Sequence, residues 1–131
     1  MTQATQTTEG CVLVVDDQAD VRETLCEVIE AGGCRAITAA DGVEALALLE
    51  TRRPCLIVLD LLMPVMGGHE VLEALRKRPE LSKIPVVIST SAPHLAPSGV
   101  PVLPKPVDIS KLWSWMRRVC ECAAQHAAAG E

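Results

Sequence analysis

Short apolar runs alternate with longer stretches of helical period along this chain, and that alternation constrains its fold more than any other feature. The runs are CVLVV at 11–15, CRAIT at 34–38, CLIVL at 55–59, a stretch from Ile84 to Ser89 and a weak one from Val100 to Leu103. Rich in Val, Ile and Leu, they read as strands buried on both faces. Between the first two, Val21, Leu25, Val28 and Ile29 recur at helical spacing from about Ala19 to Ala31, and Gly32-Gly33 closes that helix. Asp41-Gly42 opens a second helix that buries Val43, Ala45, Leu46, Leu48 and Leu49. Gly67 or Gly68 opens a third, with Val71, Leu72 and Leu75 inward, running to about Lys77 before Pro79 breaks it. A last helix is predicted from about Ile109 to Ala124, with Leu112, Trp113, Met116, Val119 and Cys120 as its stripe. This leaves one domain at 10–124, a flexible leader at 1–9 and a frayed tail at 125–131.

Strands and helices in this alternation make βαβ units and an α/β fold with both sheet faces covered. Right-handed crossovers then give a doubly wound five-stranded parallel sheet of the flavodoxin-like order 2-1-3-4-5. In that order strands 1 and 3 are neighbours. Asp16 and Asp17, which follow the first strand, are therefore expected beside Asp60, which follows the third. Ligands of such sheets bind outside the carboxyl ends of the strands.

Composition closes off several classes. With a net charge of −5, two Trp and no Tyr or Phe, the chain has neither the cations that neutralise phosphates nor the platforms that stack bases. Direct nucleic-acid binding is not expected. No apolar run reaches the roughly 20 residues of a membrane span, and MTQATQTTEG lacks the parts of a signal peptide. The expected location is cytoplasmic, with no membrane insertion. The six cysteines are then expected to be reduced thiols acting as small hydrophobes. Cys120 and Cys122, two apart on one predicted helix, would point in different directions and make a poor metal pair.

The chemistry-bearing residues fall at strand ends. Asp60 taken alone reads equally well as a residue opening a turn. Three carboxylates at adjoining strand ends repel one another unless a cation or a proton is held. An oxygen-only set suits a hard ion such as Mg²⁺, which keeps several waters and shares a phosphate oxygen. Such a site fits phosphoryl transfer, where positioning and charge neutralisation do most of the work. Ser91 follows the fourth strand and Lys105 the fifth. A hydroxyl and an ammonium there can each hold a phosphoryl oxygen. Ser91 as a turn residue and Lys105 as a surface charge are the plainer readings, and their joint arrival at successive strand ends favours the functional one.

VLVVDDQ, AADGVEAL, VLDLLMPVMGG, STSA and LPKP, in this order, resemble the receiver domain of bacterial two-component response regulators over about residues 10–122. The resemblance implies that Asp60 is a phosphoacceptor, taking a phosphoryl group from a sensor histidine kinase, a histidine phosphotransfer protein or a small acyl phosphate. It implies Mg²⁺ held by Asp17 directly, Asp16 mainly through water, Asp60, and the backbone carbonyl of Leu62. Ser91 matches the family's phosphoryl-gripping hydroxyl and Lys105 its conserved lysine, with a cis Lys105–Pro106 bond. It further implies that the chain catalyses only its own Mg-dependent phosphorylation and dephosphorylation and acts as no enzyme on outside substrates.

Three departures from the family stand out. The interval between Ser91 and Lys105 is short and carries prolines at 93, 97, 101 and 104, so the helix usual there is expected to be missing or reduced to a turn. The family's aromatic three residues before the lysine is Val102. The positions two after Asp60 and Ser91 are Leu62 and Pro93, and an apolar Leu62 cannot hold an attacking water, which favours a longer-lived phosphate. The second reading is a degenerate receiver that acts as an interaction module without phosphate. A haloacid-dehalogenase-type phosphotransferase is disfavoured, because it wants a second Asp where Leu62 stands. No output region is recognisable, and the effector is unassigned. Trp113 fits the buried stripe, so Trp115 is expected to be the more exposed of the pair and a candidate partner contact.

Overall fold

A computed structural model describes residues 10–130, with side chains to residue 125. The proposed leader at 1–9 lies outside the described residues. Five strands, β1 (Cys11–Val15), β2 (Arg35–Ala39), β3 (Leu56–Leu59), β4 (Val86–Thr90) and β5 (Val102–Pro104), form one parallel sheet. Its order is β2-β1-β3-β4-β5, the flavodoxin-like arrangement expected. The helices are α1 (Ala19–Ala31), α2 (Gly42–Leu49), α3 (Gly68–Arg76), α4 (Pro79–Ser82), α5 (Ile109–Val119) and α6 (Glu121–Gly130).

All five residues of β1 and all four of β3 are buried. Successive side chains of a strand point to opposite faces, so the sheet divides the core in two. Val12, Val14 and Val58 pack on one side with Leu25 and Ile29 of α1 and Leu112 and Met116 of α5. Leu13, Ile57 and Leu59 pack on the other with Ala45 and Leu49 of α2 and Val71 and Leu75 of α3. No helix among the described residues is long and apolar enough to cross a membrane.

Four details refine the sequence reading. Strand β4 begins at Val86, because Pro85 has no N–H to give a ladder, and it runs on to Thr90. The helix usual between β4 and β5 is reduced to one 3-10 turn, Pro93–Leu95, as its prolines foretold. The predicted final helix is divided: Cys120 is extended, with φ −115° and ψ 118°, and the chain is helical again to Gly130. Trp113 and Trp115 are both half-buried. The Trp113 indole donates to the Val28 carbonyl at 2.8 Å, and Arg118 lies 4.6 Å from the centre of the Trp115 ring. Neither ring is fully exposed.

The cysteines depart furthest from expectation. Cys34 is joined to Cys122 and Cys55 to Cys120, each with Cα atoms 5.3 Å apart, so these four are not separate reduced thiols. The break at Cys120 is the reason. Two residues on one helix diverge, but an extended Cys120 swings both side chains toward the amino ends of β2 and β3. Cys11 and Cys26 take no part in disulfides.

Helix α2 shows how local sequence sets an element boundary. The Asp41 carboxylate accepts the Glu44 N–H at 2.9 Å, and Glu44 reaches back to the Ala40 N–H at 2.5 Å. The first satisfies a donor that a helix start leaves without a partner, and the second ties down the residue before the cap. Asp41→Ala should cost about 1 kcal/mol, read as a lower urea midpoint with an unchanged denaturant slope.

Candidate functional site

The site is built at the carboxyl ends of β1, β3 and β5. Val15 pairs with Ala39 and Leu59, and the ladders run one residue further. The Asp16 N–H donates to the Ala39 carbonyl at 3.1 Å, and the Asp60 N–H to the Val15 carbonyl at 2.9 Å. Asp16 and Asp60 thus leave adjoining strands side by side. One carboxylate oxygen from each of Asp16, Asp17 and Asp60 lies within 4.8 Å of the others. Asp16 is 2% and Asp60 6% exposed, while Asp17 faces solvent.

Lys105 completes the cluster. Its ammonium donates to Asp16 Oδ2 at 2.7 Å and stands 3.7 Å from Asp60 Oδ2. One backbone hydrogen bond holds it there. Its own N–H donates to the Thr90 carbonyl at 2.9 Å, and the Lys105–Pro106 bond is cis, as the resemblance implied. Asp16 is held as well: its Oδ1 accepts the Gln18 N–H at 2.9 Å, and its carbonyl accepts Arg22 Nη1 at 2.7 Å.

Burial is the main cause that pushes the Asp60 carboxyl above its ordinary range, and the charges of Asp16 and Asp17 add to it. The Lys105 ammonium and the Leu62 N–H pull the other way without cancelling the rise. The donor set suits a hard cation: three carboxylates on all-oxygen ligation, two of them buried, with one lysine to set against them.

The loop after Asp60 folds tightly back on the strand end. The Gly68 N–H donates to the Leu61 carbonyl at 2.9 Å. A Cβ at Gly68 would collide with the Asp60 carbonyl oxygen and come within 2.9 Å of Leu61 Cα. Glycine is thus required by close approach of backbone to backbone. Val65 stands at the tip with φ 70°, inside a three-residue turn closed by the Met66 N–H to the Pro64 carbonyl at 2.7 Å. A β-branched residue is strained there. The Leu62 side chain is 57% exposed beside the pocket.

Ser91 is not part of this assembly. It is exposed and lies one residue past the end of β4. The strand's last residue is Thr90, fully buried, whose Oγ1 accepts the Ala92 N–H at 3.0 Å and whose carbonyl anchors Lys105. Three consecutive hydroxyls, Ser89, Thr90 and Ser91, hid the choice. No signal in the run of letters marks which of the three ends the strand; pairing with β5 does, with Thr90 opposite Pro104.

A parallel five-stranded sheet with buried acids and a lysine at its carboxyl edge defines a receiver-type α/β domain. The family described as the response regulator receiver domain matches residues 12–116, and the chain belongs to it. Among its relatives is the Response regulator MprA of Mycobacterium sp. (strain KMS), 35% identical over 113 residues, 81% of this chain and 48% of that protein. A protein-glutamate methylesterase/protein-glutamine glutaminase of Hahella chejuensis is 45% identical over 82 residues, 62% of this chain and 23% of the relative. Among solved structures, chemotaxis response regulator CheY4 of Vibrio cholerae superposes with a TM-score of 0.74 at 31% identity, covering 86% of this chain and 99% of that one. The chain spans from about a quarter to about half the length of these curated relatives.

Two measurements check the site. Val65→Gly should stabilise the protein by about 1 kcal/mol, the release of left-handed strain less the added freedom of the unfolded chain; an unchanged urea midpoint would contradict it. The raised Asp60 pKa also has a stability consequence. The folded state holds that proton more tightly than the unfolded state, so Asp60 costs stability as pH rises above its ordinary value of about 3.9. In metal-free buffer Asp60→Asn should therefore melt higher than the parent at pH 7, with the gap closing as pH falls toward 4. A gap that widens on acidification would reverse the sign.

Proposed function

We propose that this receiver domain accepts a phosphoryl group on Asp60 from a histidine kinase or a histidine phosphotransfer protein. The observation that carries the reading is Lys105, whose ammonium bridges the buried carboxylates of Asp16 and Asp60. A lysine so placed can follow charge from Asp16 to a phosphoryl oxygen on Asp60. In the transfer, an Asp60 oxygen attacks phosphorus, the P–N bond of phosphohistidine breaks, and the departing imidazole takes up a proton. Mg²⁺, held by Asp16, Asp17, Asp60 and the carbonyl of Leu62, would supply the positive charge that three carboxylates and a phosphoryl group together require. Thr90 takes the gripping role first given to Ser91, its hydroxyl turning from the Ala92 N–H to a phosphoryl oxygen. The position two beyond the hydroxyl is then Ala92 rather than Pro93, as apolar as Leu62 on the opposite side. Neither side chain can orient a water, which favours a long-lived phosphate.

The domain acts on itself and on no outside substrate. The docking face is the groove of about 470 Å³ between α1 and the start of α5, where Val21, Leu25, Val107 and Ile109 flank Lys105. A cytoplasmic location agrees with a kinase partner of this kind. The second reading, an interaction module that works without phosphate, draws on Val102, since no aromatic at the edge of β5 is there to change rotamer.

The two readings separate in one experiment. With Mg²⁺ and acetyl phosphate, the intact mass of the chain should rise by one phosphoryl group and that of Asp60→Asn should not. Thr90→Ala should slow the gain about tenfold or more, the scale on which a transition-state hydrogen bond acts, whereas Ser91→Ala should match the parent. No adduct from acetyl phosphate or from a phosphorylated histidine kinase would leave the interaction module as the function.

A further inference from the structure

At the opposite end of β3 the structure assembles a second cluster, made of sulfur. Cys34 precedes β2, Cys55 precedes β3, and Cys120 and Cys122 flank the break between α5 and α6. Their four Sγ atoms all lie within 4.8 Å of one another. Two separate crosslinks require only that each sulfur meet its own mate. Convergence of all four is the arrangement that a single tetrahedral ion requires. Four thiolates about 2.3 Å from one zinc ion stand roughly 3.8 Å apart, inside that limit. A cluster of several irons would need them spread wider.

The cage is held from every side. Cys34 donates its N–H to the Ile29 carbonyl at the end of α1, Cys55 to Cys11 in β1, and Cys120 to Met116 in α5, at 3.3, 2.9 and 2.7 Å. The Cys120 carbonyl accepts the N–H groups of Ala123 and Ala124, which starts α6 over the site. A Cβ on Gly10 would lie 3.5 Å from Cys122 Cβ, so the chain entering β1 seats against the cage as well. Cys34, Cys55 and Cys120 are buried. Cys120 and Cys122 both lie beyond residue 116, where the family match ends, so the receiver family does not account for the cluster.

We propose that Cys34, Cys55, Cys120 and Cys122 form a tetrathiolate site for one structural zinc ion, which staples the α5–α6 junction to the amino edge of the sheet. Zinc binding displaces four thiol protons and changes no oxidation state. In a reducing compartment it gives four crowded sulfurs, three of them on buried residues, a partner that disulfides cannot keep. The two disulfides are the form the same sulfurs take once an oxidant such as oxygen or a disulfide has removed four electrons and four protons. Cys26 stands apart on α1, where burial and the Glu30 carboxylate push its thiol up. The site lies about 16 Å from Asp60, at roughly 3.3 Å per strand residue, so its fate is separable from phosphorylation.

The test uses the whole chain, purified without oxygen or chelator and with a phosphine reductant, in the Asp60→Asn background so that the carboxylate pocket is impaired. One zinc per chain is expected by elemental analysis and native mass, with four thiols protected from alkylation. Cobalt(II) in place of zinc should give the intense ligand-field bands and thiolate charge transfer of a tetrahedral sulfur site. Cys34→Ser and Cys122→Ser should each bind the metal at least tenfold more weakly, and Cys26→Ser should match its parent. Zinc removal should lower Tm. A metal-free reduced chain with all thiols open to alkylation would overturn the proposal. So would two disulfides surviving the reductant, iron with inorganic sulfide, or a cobalt spectrum of oxygen ligation. These readings come from the chain with all six cysteines, so a serine variant that fails to fold does not decide the matter.

Discussion

The hydrogen bond from the Asp60 N–H to the Val15 carbonyl, 2.9 Å long, is the contact on which the receiver site depends. It carries the β1–β3 ladder one step past its last paired residues, Val15 and Leu59. Two acids 44 positions apart, Asp16 and Asp60, are thereby held side by side with little exposure to water. Neither would choose that position alone, since burial and mutual repulsion both disfavour the ionised forms. The core supplies the force that keeps them there. Residues of β1 and β3 are buried on both faces, and slipping the register by one residue would turn every side chain to the wrong layer. Lys105 offsets part of the repulsion and reaches both acids. Its position depends in turn on Thr90, which receives its N–H.

The segment between β4 and β5 shows what the fold can give up. A single 3-10 turn replaces a helix, yet Ala96, Val100 and Val102 still pack on the α2–α3 side of the sheet. Trp115, Leu72, Leu81, Ile84 and Val100 line a shallow groove where a longer element would lie. Here the groove and a Val at the first position of β5 replace a helix and an aromatic ring. Among the described residues of β5, Val102 to Pro104, there is no aromatic ring at the sheet's edge.

Strand order and the acid cluster were legible because both follow from coarse pattern: apolar runs, helical period, and carboxylates at run ends. The choice between Ser91 and Thr90 was not, because it turned on one residue of strand length. Pairing of Thr90 with Pro104 of β5 fixes that end, and a pattern of apolar letters passes over it. The cysteine cluster was hidden for a different reason. Cys120 and Cys122 diverge on a continuous helix, and the helical stripe runs through Cys120 without interruption. Only the extended backbone at Cys120 reverses the inference, and that conformation is set by what the chain meets in three dimensions. Cys34 and Cys55 were read as the first residues of strands, and each lies just before one. Their shared position at the amino ends became meaningful only once β2 and β3 were seen to flank β1.

β3 therefore links two clusters of opposite chemical character. Hard oxygen ligands gather at its carboxyl end around Asp60, and soft sulfur ligands at its amino end around Cys55. Between them, Leu56 to Leu59 are almost wholly removed from water. The acid end is strained: Val65 sits at positive φ, and the buried carboxylates repel. The sulfur end is constrained in every direction by α1, β1, α5 and α6. Such a division suits a signalling domain. Local opening at the site costs least when the rest of the sheet is held elsewhere, and a cross-linked amino edge keeps the β1–β3 register intact while the other end changes partners.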